Sequence, residues 1–360
     1  MKIAIYSPYL DTFGGGEKYM MSIGEILSQN NFEVDILLDK NLENKDCKYL
    51  KNELSKRFNL NLERVSFIRA PIGEGSNFFS RFFFLKKYTV FFYLSDGSIF
   101  YPTARKNILH IQSPIIGQPA KSLWGKIKLK GWNLIIYNSQ FTQKYSQNNW
   151  PLTSQVIYPP VDTEKIKLLG KKNYILSVGR FFGYLKDKKH AIMIKAFKDL
   201  YKGKKVDGWS LYLVGVASKG DEPYLMQLRN LSKGFPINFY PNLAYNALMT
   251  LYGQSSIYWH AAGFGEEDPT KMEHFGISTV EAMAAGSVPV VVNGGGQTEI
   301  VEDGKSGFLW NSLKDLQRFT TSLIKDQNLR SKLSQNAVLA SHKFSKKRFE
   351  KEILKVVDYL

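Results

Sequence analysis

Short apolar runs alternate with helical stretches along this chain, and the alternation starts twice. The first series opens at KIAIYSP, passes through the loop DTFGGG into the helical EKYMMSIGEILSQN, and reaches a second strand at FEVDILLD. RVSFI, YTVFFYLSD, NILHIQS and NLIIYNS continue it. After YPPVDTEKI and the polar GKKN the pattern restarts with YILSVG, the helical AIMIKAFKDLYKG and SLYLVGV. PINFY, SIYWHAAG, the helical TVEAMAAG and VPVVVNGGG follow. Strands separated by helices pair in parallel and need helices on both faces of the sheet, so the pattern predicts two α/β domains. The junction is expected near Pro159 to Lys172, where the adjacent prolines Pro159 and Pro160 hold the backbone extended. The last run, SKKRFEKEILKVVDYL, has helical periodicity and no strand after it, which suits a helix packed across a domain surface or back over the junction.

Composition narrows the class. Three hundred and sixty residues suit two domains, and 44% hydrophobic with 22% charged residues is the balance of a folded chain. The single cysteine, Cys47, excludes an intramolecular disulfide framework and a multi-cysteine zinc cage, and the five histidines lack metal-ligand spacing. The opening MKIAIYSPYL is too short an apolar run for a secretory signal, and no stretch reaches the ~18 apolar residues of a membrane span. A cytoplasmic chain is expected. Its net charge of +17 predicts attraction to polyanions, whether phosphorylated small molecules, nucleic acid or an anionic membrane surface.

Ligands of open parallel sheets bind beyond the carboxyl ends of the strands. Four segments fall there. Gly14, Gly15 and Gly16 follow the first strand and precede a helix, where bare backbone can approach an anion, or where a tight turn is all that is needed. Arg180 follows YILSVG and leads into FFGYLKDKKH; a guanidinium and an ammonium at one strand end can clamp a diphosphate, or line a solvated basic loop. In EHFGISTVEAMAAG, Glu273 and Glu281 stand eight residues apart. Ser278 and Glu281 read as a capping box, placing a helix start around Thr279 and its stop at Gly286, which gives Glu281 a purely structural alternative. Glu273 lies before Gly276 in the loop, where a carboxylate can accept hydrogen bonds from sugar hydroxyls, and the N–H groups of Ile277 to Thr279 form a phosphate site. His110, in NILHIQSP, is either a core histidine or a cleft residue beside Gln112, Ser113 and Pro114.

Taken together, FGGGEKY, YNSQFT with VIYPPVD, LSVGR, and above all Glu-x7-Glu in EHFGISTVEAMAAGSVPVV followed by NGGGQTEIVEDGKSGFLW resemble retaining GT-B glycosyltransferases of family 4 (glycosyl transferases group 1) over nearly the whole chain. The resemblance implies two Rossmann-like doubly wound domains facing across a cleft: 1–165 binding acceptor, 166–345 binding nucleotide sugar, and 346–360 a helix crossing back toward the N-terminal domain. It implies transfer of a hexose from a GDP-mannose or UDP-hexose donor to an acceptor hydroxyl, on a glycan or lipid-linked glycan, with retained configuration and no metal or other cofactor. Arg180 and Lys188 would hold the diphosphate, with Lys186 and Lys189 as alternatives because this Arg-to-Lys loop is longer than the family's. Glu273, with backbone from Phe275 through Gly276 to Ile277, would bind the hexose; Ser278 and Thr279 complete the donor site and Glu281 takes the ribose. His110 would sit near the anomeric centre or the sugar's 6-hydroxyl, and Gly15 and Gly16 would approach the donor from the opposite wall.

Two segments mix bases and aromatics, FFSRFFFLKKY and KSLWGKIKLKGW. They resemble an interfacial surface for anionic lipid, at the inner face of a membrane, or else core phenylalanines with a rim of lysines. The rival readings are another GT-B enzyme such as a nucleotide-sugar epimerase, which needs no acceptor, and a basic nucleic-acid-binding protein. The latter lacks any aromatic recognition pattern in the sequence.

Overall fold

The computed structural model describes residues 1–42, 44–117, 122–183 and 188–358. The chain divides into two compact units, Met1–Pro160 with Lys347–Leu360, and Val161–Lys346.

The first unit runs β1 (Lys2–Tyr6), α1 (Gly15–Gln29), β2 (Glu33–Leu38), α2 (Cys47–Phe58), β3 (Val65–Arg69), α3 (Phe78–Lys86), β4 (Val90–Leu94), β5 (Lys106–Ile111), α4 (Leu123–Lys130), β6 (Leu134–Tyr137), α5 (Gln140–Ser146) and β7 (Ser154–Val156). Its strands form one sheet in the order β3-β2-β1-β4-β5-β6-β7, every pair parallel. Successive side chains of a strand point to opposite faces, so one sheet feeds two cores. Ile3, Ile5, Ile36, Phe92 and Ile108 meet α1 on one face. Ala4, Tyr6, Leu37, Phe91, Tyr93 and Leu109 pack on the other, with Leu85 of α3 and Leu129 of α4. Burial on both faces is why VFFYL reads as an unbroken apolar run rather than an alternating one.

The second unit runs β8 (Lys172–Val178), α6 (His190–Lys202), β9 (Ser210–Gly215), α7 (Glu222–Ser232), β10 (Ile237–Pro241), α8 (Tyr245–Gln254), β11 (Ser255–His260), α9 (Ile277–Ala284), β12 (Val288–Val292), α10 (Gln297–Ile300), β13 (Phe308–Trp310), α11 (Leu313–Lys325) and α12 (Gln327–Ser341). Its sheet is again all parallel, in the order β10-β9-β8-β11-β12-β13.

The final helix, α13 (Lys346–Asp358), belongs almost wholly to the first unit. Phe349, Ile353, Val356 and Val357 are buried in the core beside α1, with Phe349 edge-on to Tyr19 at 4.9 Å. Arg348 donates to the carbonyl of Tyr158 at 2.8 Å. The amphipathic spacing of SKKRFEKEILKVVDYL thus finds its apolar partner in the sheet that began the chain.

In each sheet the winding direction reverses once, between β1 and β4 and between β8 and β11. Loops leaving the carboxyl ends of those paired strands diverge to opposite faces and leave a crevice between them. The second unit's crevice is bounded by the loop after β8, which contains Arg180 and Lys188, and the loop after β11, which contains Glu273.

Candidate functional site

The loop after β8 is shaped by glycine. A Cβ on Gly215 would meet the carbonyl oxygen of Gly179 at 1.8 Å, so β9 closes directly onto the end of β8. A Cβ on Gly179 would meet Cγ of Lys188 at 2.8 Å, and its absence lets the lysine stem cross the strand end. The ammonium of Lys188 then donates to Oε2 of Glu273 at 2.6 Å. The three candidate lysines separate. Lys189, in the left-handed region at φ 58°, pairs with Glu266 at 2.6 Å instead, and Lys186 lies outside the described residues. Arg180 is half-buried on the same loop, with its guanidinium 5.6 Å from the Phe182 ring centre.

Glu273 has a second partner that sequence reasoning missed. His260, the last residue of β11, is buried and places Nε2 2.9 Å from the same Oε2. Burial pushes the His260 pKa down against the pull of the carboxylate, so the ring is neutral at pH 7 and Nε2–H is the donor. Its Nδ1 is buried without a hydrogen-bond partner among the described residues. Burial alone would raise the Glu273 pKa, but the adjacent ammonium and the imidazole donor outweigh it and hold the carboxyl well below its ordinary value. Strand-end position, the signal that singled out His110, also marked His260 in SIYWHAAG.

Backbone on backbone packing fixes the Glu273 loop. Gly295, at φ 61°, carries no Cβ where one would lie 2.2 Å from the Glu273 carbonyl oxygen, and Gly296 donates its N–H to that oxygen at 2.7 Å. NGGGQTE is therefore the floor under Glu273, a role its glycines perform by being bare.

The expected capping box is not formed. Gly276 at φ 118° is the N-cap, α9 begins at Ile277 rather than Thr279, and no side chain caps it. A left-handed glycine turns the chain into the helix without a hydroxyl. Ser278 instead accepts a 2.8 Å hydrogen bond from the hydroxyl of Tyr258 on β11. Glu281 is thereby released from the capping role. It stands half-buried on α9, near enough to the buried Tyr252 for its charge to add to burial in raising that phenol's pKa. Phe275 and Thr279 are buried, and Ile277 and Ser278 are half-buried. The first N–H groups of α9 have no intrahelical acceptor, as at any helix start. Among the described residues no group of three or more His, Cys, Asp or Glu is placed to hold a metal ion.

The remaining candidates lie in the first unit. Gly15 is exposed and Gly16 buried, and a Cβ on Gly16 would meet Oε1 of Gln112 at 2.1 Å. The glycine loop is pinned by Glu17, whose buried carboxylate accepts from the Gly14 N–H at 2.8 Å and the Thr12 hydroxyl at 3.1 Å. Burial raises the Glu17 pKa despite these bonds. Tyr9 donates to Asp96 at 2.8 Å, tying the loops after β1 and β4 together. His110 is a core residue by its surroundings. Its ring stacks on Tyr19 at 3.9 Å, its Nδ1 lies 3.1 Å from the Ile136 carbonyl oxygen, and burial pushes its pKa down to about 3.

Residues 161–339 match the family model described as glycosyl transferases group 1. The chain is 31% identical over 242 residues to a GDP-Man:Man(3)GlcNAc(2)-PP-Dol alpha-1,2-mannosyltransferase of Mus musculus, covering 61% of this chain and 46% of that protein. The chain spans about half the length of the curated relatives it matches first. Among solved structures, a glycosyltransferase from Rickettsia africae superposes with TM-score 0.75 at 19% identity, over 99% of this chain and 97% of that one. Anabaena HepE, solved with UDP and glucose, superposes with TM-score 0.68 at 17% identity over the whole of both chains. These likenesses show the fold: two Rossmann-like units of the GT-B class.

Proposed function

Since the chain belongs, through residues 161–339, to the glycosyl transferases group 1 family, we propose that it moves a hexose from a nucleoside-diphosphate donor to an acceptor hydroxyl, as a retaining, metal-independent family 4 enzyme. The observation that carries this reading is Lys188 and His260 converging on one oxygen of Glu273 where the second sheet reverses its winding. An ammonium held against a carboxylate is poised to be exchanged. The donor's diphosphate takes Lys188 and Arg180, and the hexose hydroxyls donate to the carboxylate that Lys188 vacates. Phe275, Gly276, Ile277, Ser278 and Thr279 contribute the backbone at the start of α9, and Glu281 the ribose contact. His110 supports α1 from beneath through Tyr19 and need not touch the donor.

In the reaction the bond between the anomeric carbon and the diphosphate oxygen lengthens first, charge builds on the leaving diphosphate, and Arg180 and Lys188 stabilise it there. That same oxygen accepts the proton of the incoming hydroxyl on the face it leaves, which retains the anomeric configuration. Because the two cations supply the compensating charge, transfer proceeds in excess chelator. GDP-mannose and UDP-hexoses are the donors to try first, since the mouse relative is named for GDP-Man and HepE was solved with UDP and glucose, and a lipid-linked glycan is the favoured acceptor class. The test is acceptor-dependent release of nucleoside diphosphate from each donor in the presence of EDTA. No net release of nucleoside diphosphate, with an altered sugar still on the nucleotide and no need of acceptor, would assign an epimerase and end this reading.

A further inference from the structure

α3 and α4 carry large apolar side chains in the open. Phe79 and Phe83 are each 68% exposed, Leu123 74% and Trp124 72%, with Phe78 and Ile127 beside them. These are not core phenylalanines with a basic rim, because the core is served by other residues of the same helices, Leu85 and Leu129. Both helices pack on the same face of the first sheet, and the segment after β4 joins them. The Thr103 hydroxyl donates to the Phe82 carbonyl on α3 at 2.6 Å. Just past α4, the Trp132 indole donates to the Phe100 carbonyl at 3.1 Å, and Gly131 lies where a Cβ would meet Pro102 at 2.6 Å. The apolar residues therefore form one outward surface. Lys86, Lys87, Lys126, Lys128 and Lys130 are exposed on the same two helices. Between Gly75 and Val161 the sequence has ten Lys and Arg against one acidic residue, Asp96, so over half of the net charge of +17 comes from this stretch.

We infer that this α3–α4 surface seats the protein on an anionic lipid bilayer. Aromatic and aliphatic side chains ringed by lysines, with no carboxylate among them, match an interface of acyl chains beneath acidic headgroups. At 1.5 Å per residue, the nine residues of α3 and eight of α4 fall well short of the ~30 Å hydrocarbon core, so the helices lie on the membrane rather than across it. The inference rests on the transferase reading only for its purpose, which is to bring the site to a lipid-borne acceptor. Lipid binding itself requires neither donor nor acceptor.

Trp124 supplies the reporter, because the five other tryptophans are at most 5% exposed. The full chain is mixed with vesicles of phosphatidylcholine, with and without about 30% phosphatidylglycerol, in ~0.1 M salt. Cosedimentation with the anionic vesicles and a blue shift of tryptophan emission are expected. Trp124→Phe should remain bound and lose the shift. Lys126→Gln/Lys128→Gln/Lys130→Gln should weaken binding by about fivefold per lysine, ~100-fold in all. Phe79→Ser/Trp124→Ser should weaken it at least ~10-fold, with unchanged far-ultraviolet dichroism because both side chains are on the surface. No binding to anionic vesicles, an unshifted emission in bound protein, or wild-type binding by both the lysine and apolar variants would overturn the inference. So would a dimer in solution that Phe79→Ser/Trp124→Ser converts to monomer, which would assign the surface to a second copy. Vesicle binding without transfer to any acceptor leaves this inference standing and removes the transferase reading. Transfer to a water-soluble acceptor without vesicle binding does the reverse.

Discussion

Replacing Glu273 by Gln removes one charge from the Lys188–Glu273–His260 cluster while keeping its shape. The carboxylate oxygen that takes both donors becomes an amide oxygen, and two charge-assisted hydrogen bonds of 2.6 and 2.9 Å become weaker ones. Hydrogen bonds to a charged group contribute about 1.5–3 kcal/mol each. The side chains of Lys188 and Glu273 are 26% and 18% exposed, so Lys188 can turn to water and recover part of that. A net loss of about 1–3 kcal/mol follows, or a fall in Tm of roughly 3–8 °C for a unit of this size. The loss depends on pH with a definite sign. Glu273 in the folded protein titrates well below its ordinary 4.5, so its stabilisation is complete above about pH 4.5 and drains away as pH falls toward its native pKa. Urea melts of wild type and Glu273→Gln at a series of pH values should show a full gap near neutrality that narrows in acid. Transfer should fall at least ~100-fold at pH 7. A stability gap that is constant with pH, or wild-type transfer by the variant, would refute the reasoning.

Three further outcomes follow from the same physics. Glu17 titrates above its ordinary value, so the folded protein loses stability as pH rises through that native pKa; Glu17→Gln, measured by the same melts, should gain on wild type with rising pH, opposite in sign to Glu273→Gln. Gly276→Ala forces φ 118° on a residue with a Cβ and drives it to 2.5 Å from the buried Gln297 amide, and should cost about 2–4 kcal/mol in thermal melts and abolish donor binding. Deleting residues 347–360 removes four buried side chains from the first unit, about 6–10 kcal/mol of burial, so limited proteolysis should digest that unit while the second survives.

Much of the fold was legible because parallel sheets buried on both faces leave continuous apolar runs. YTVFFYLSD and VPVVVNGGG became β4 and β12 for that reason. The three-residue edge strands β7 and β13 carried too little pattern to stand out. Ser278 and Glu281 had the spacing of a capping box, yet a left-handed glycine opened the helix and Tyr258, far away in sequence, took the serine hydroxyl. Such a competitor is a tertiary contact, and no local pattern carries it. His260 went unread because its partner, Glu273, stands further along the loop that leaves the same strand and folds back onto it, a contact with no local spacing pattern, while the same positional signal singled out His110, whose ring is stacked beneath Tyr19. In FFSRFFFLKKY Leu85 is buried and Phe84 packs partly against the core while Phe79 and Phe83 face outward, a division set by where α3 meets the sheet.

The most direct test titrates GDP and GDP-mannose, and UDP with UDP-glucose, into wild type, Lys188→Ala and Glu273→Gln by calorimetry. One pair should bind wild type saturably. Lys188→Ala should weaken the diphosphate and its sugar alike, by at least ~10-fold, whereas Glu273→Gln should weaken the sugar nucleotide and spare the bare diphosphate. Neither pair binding, or Lys188→Ala binding both ligands as wild type does, contradicts the assignment of a donor diphosphate to Lys188 and its hexose to Glu273.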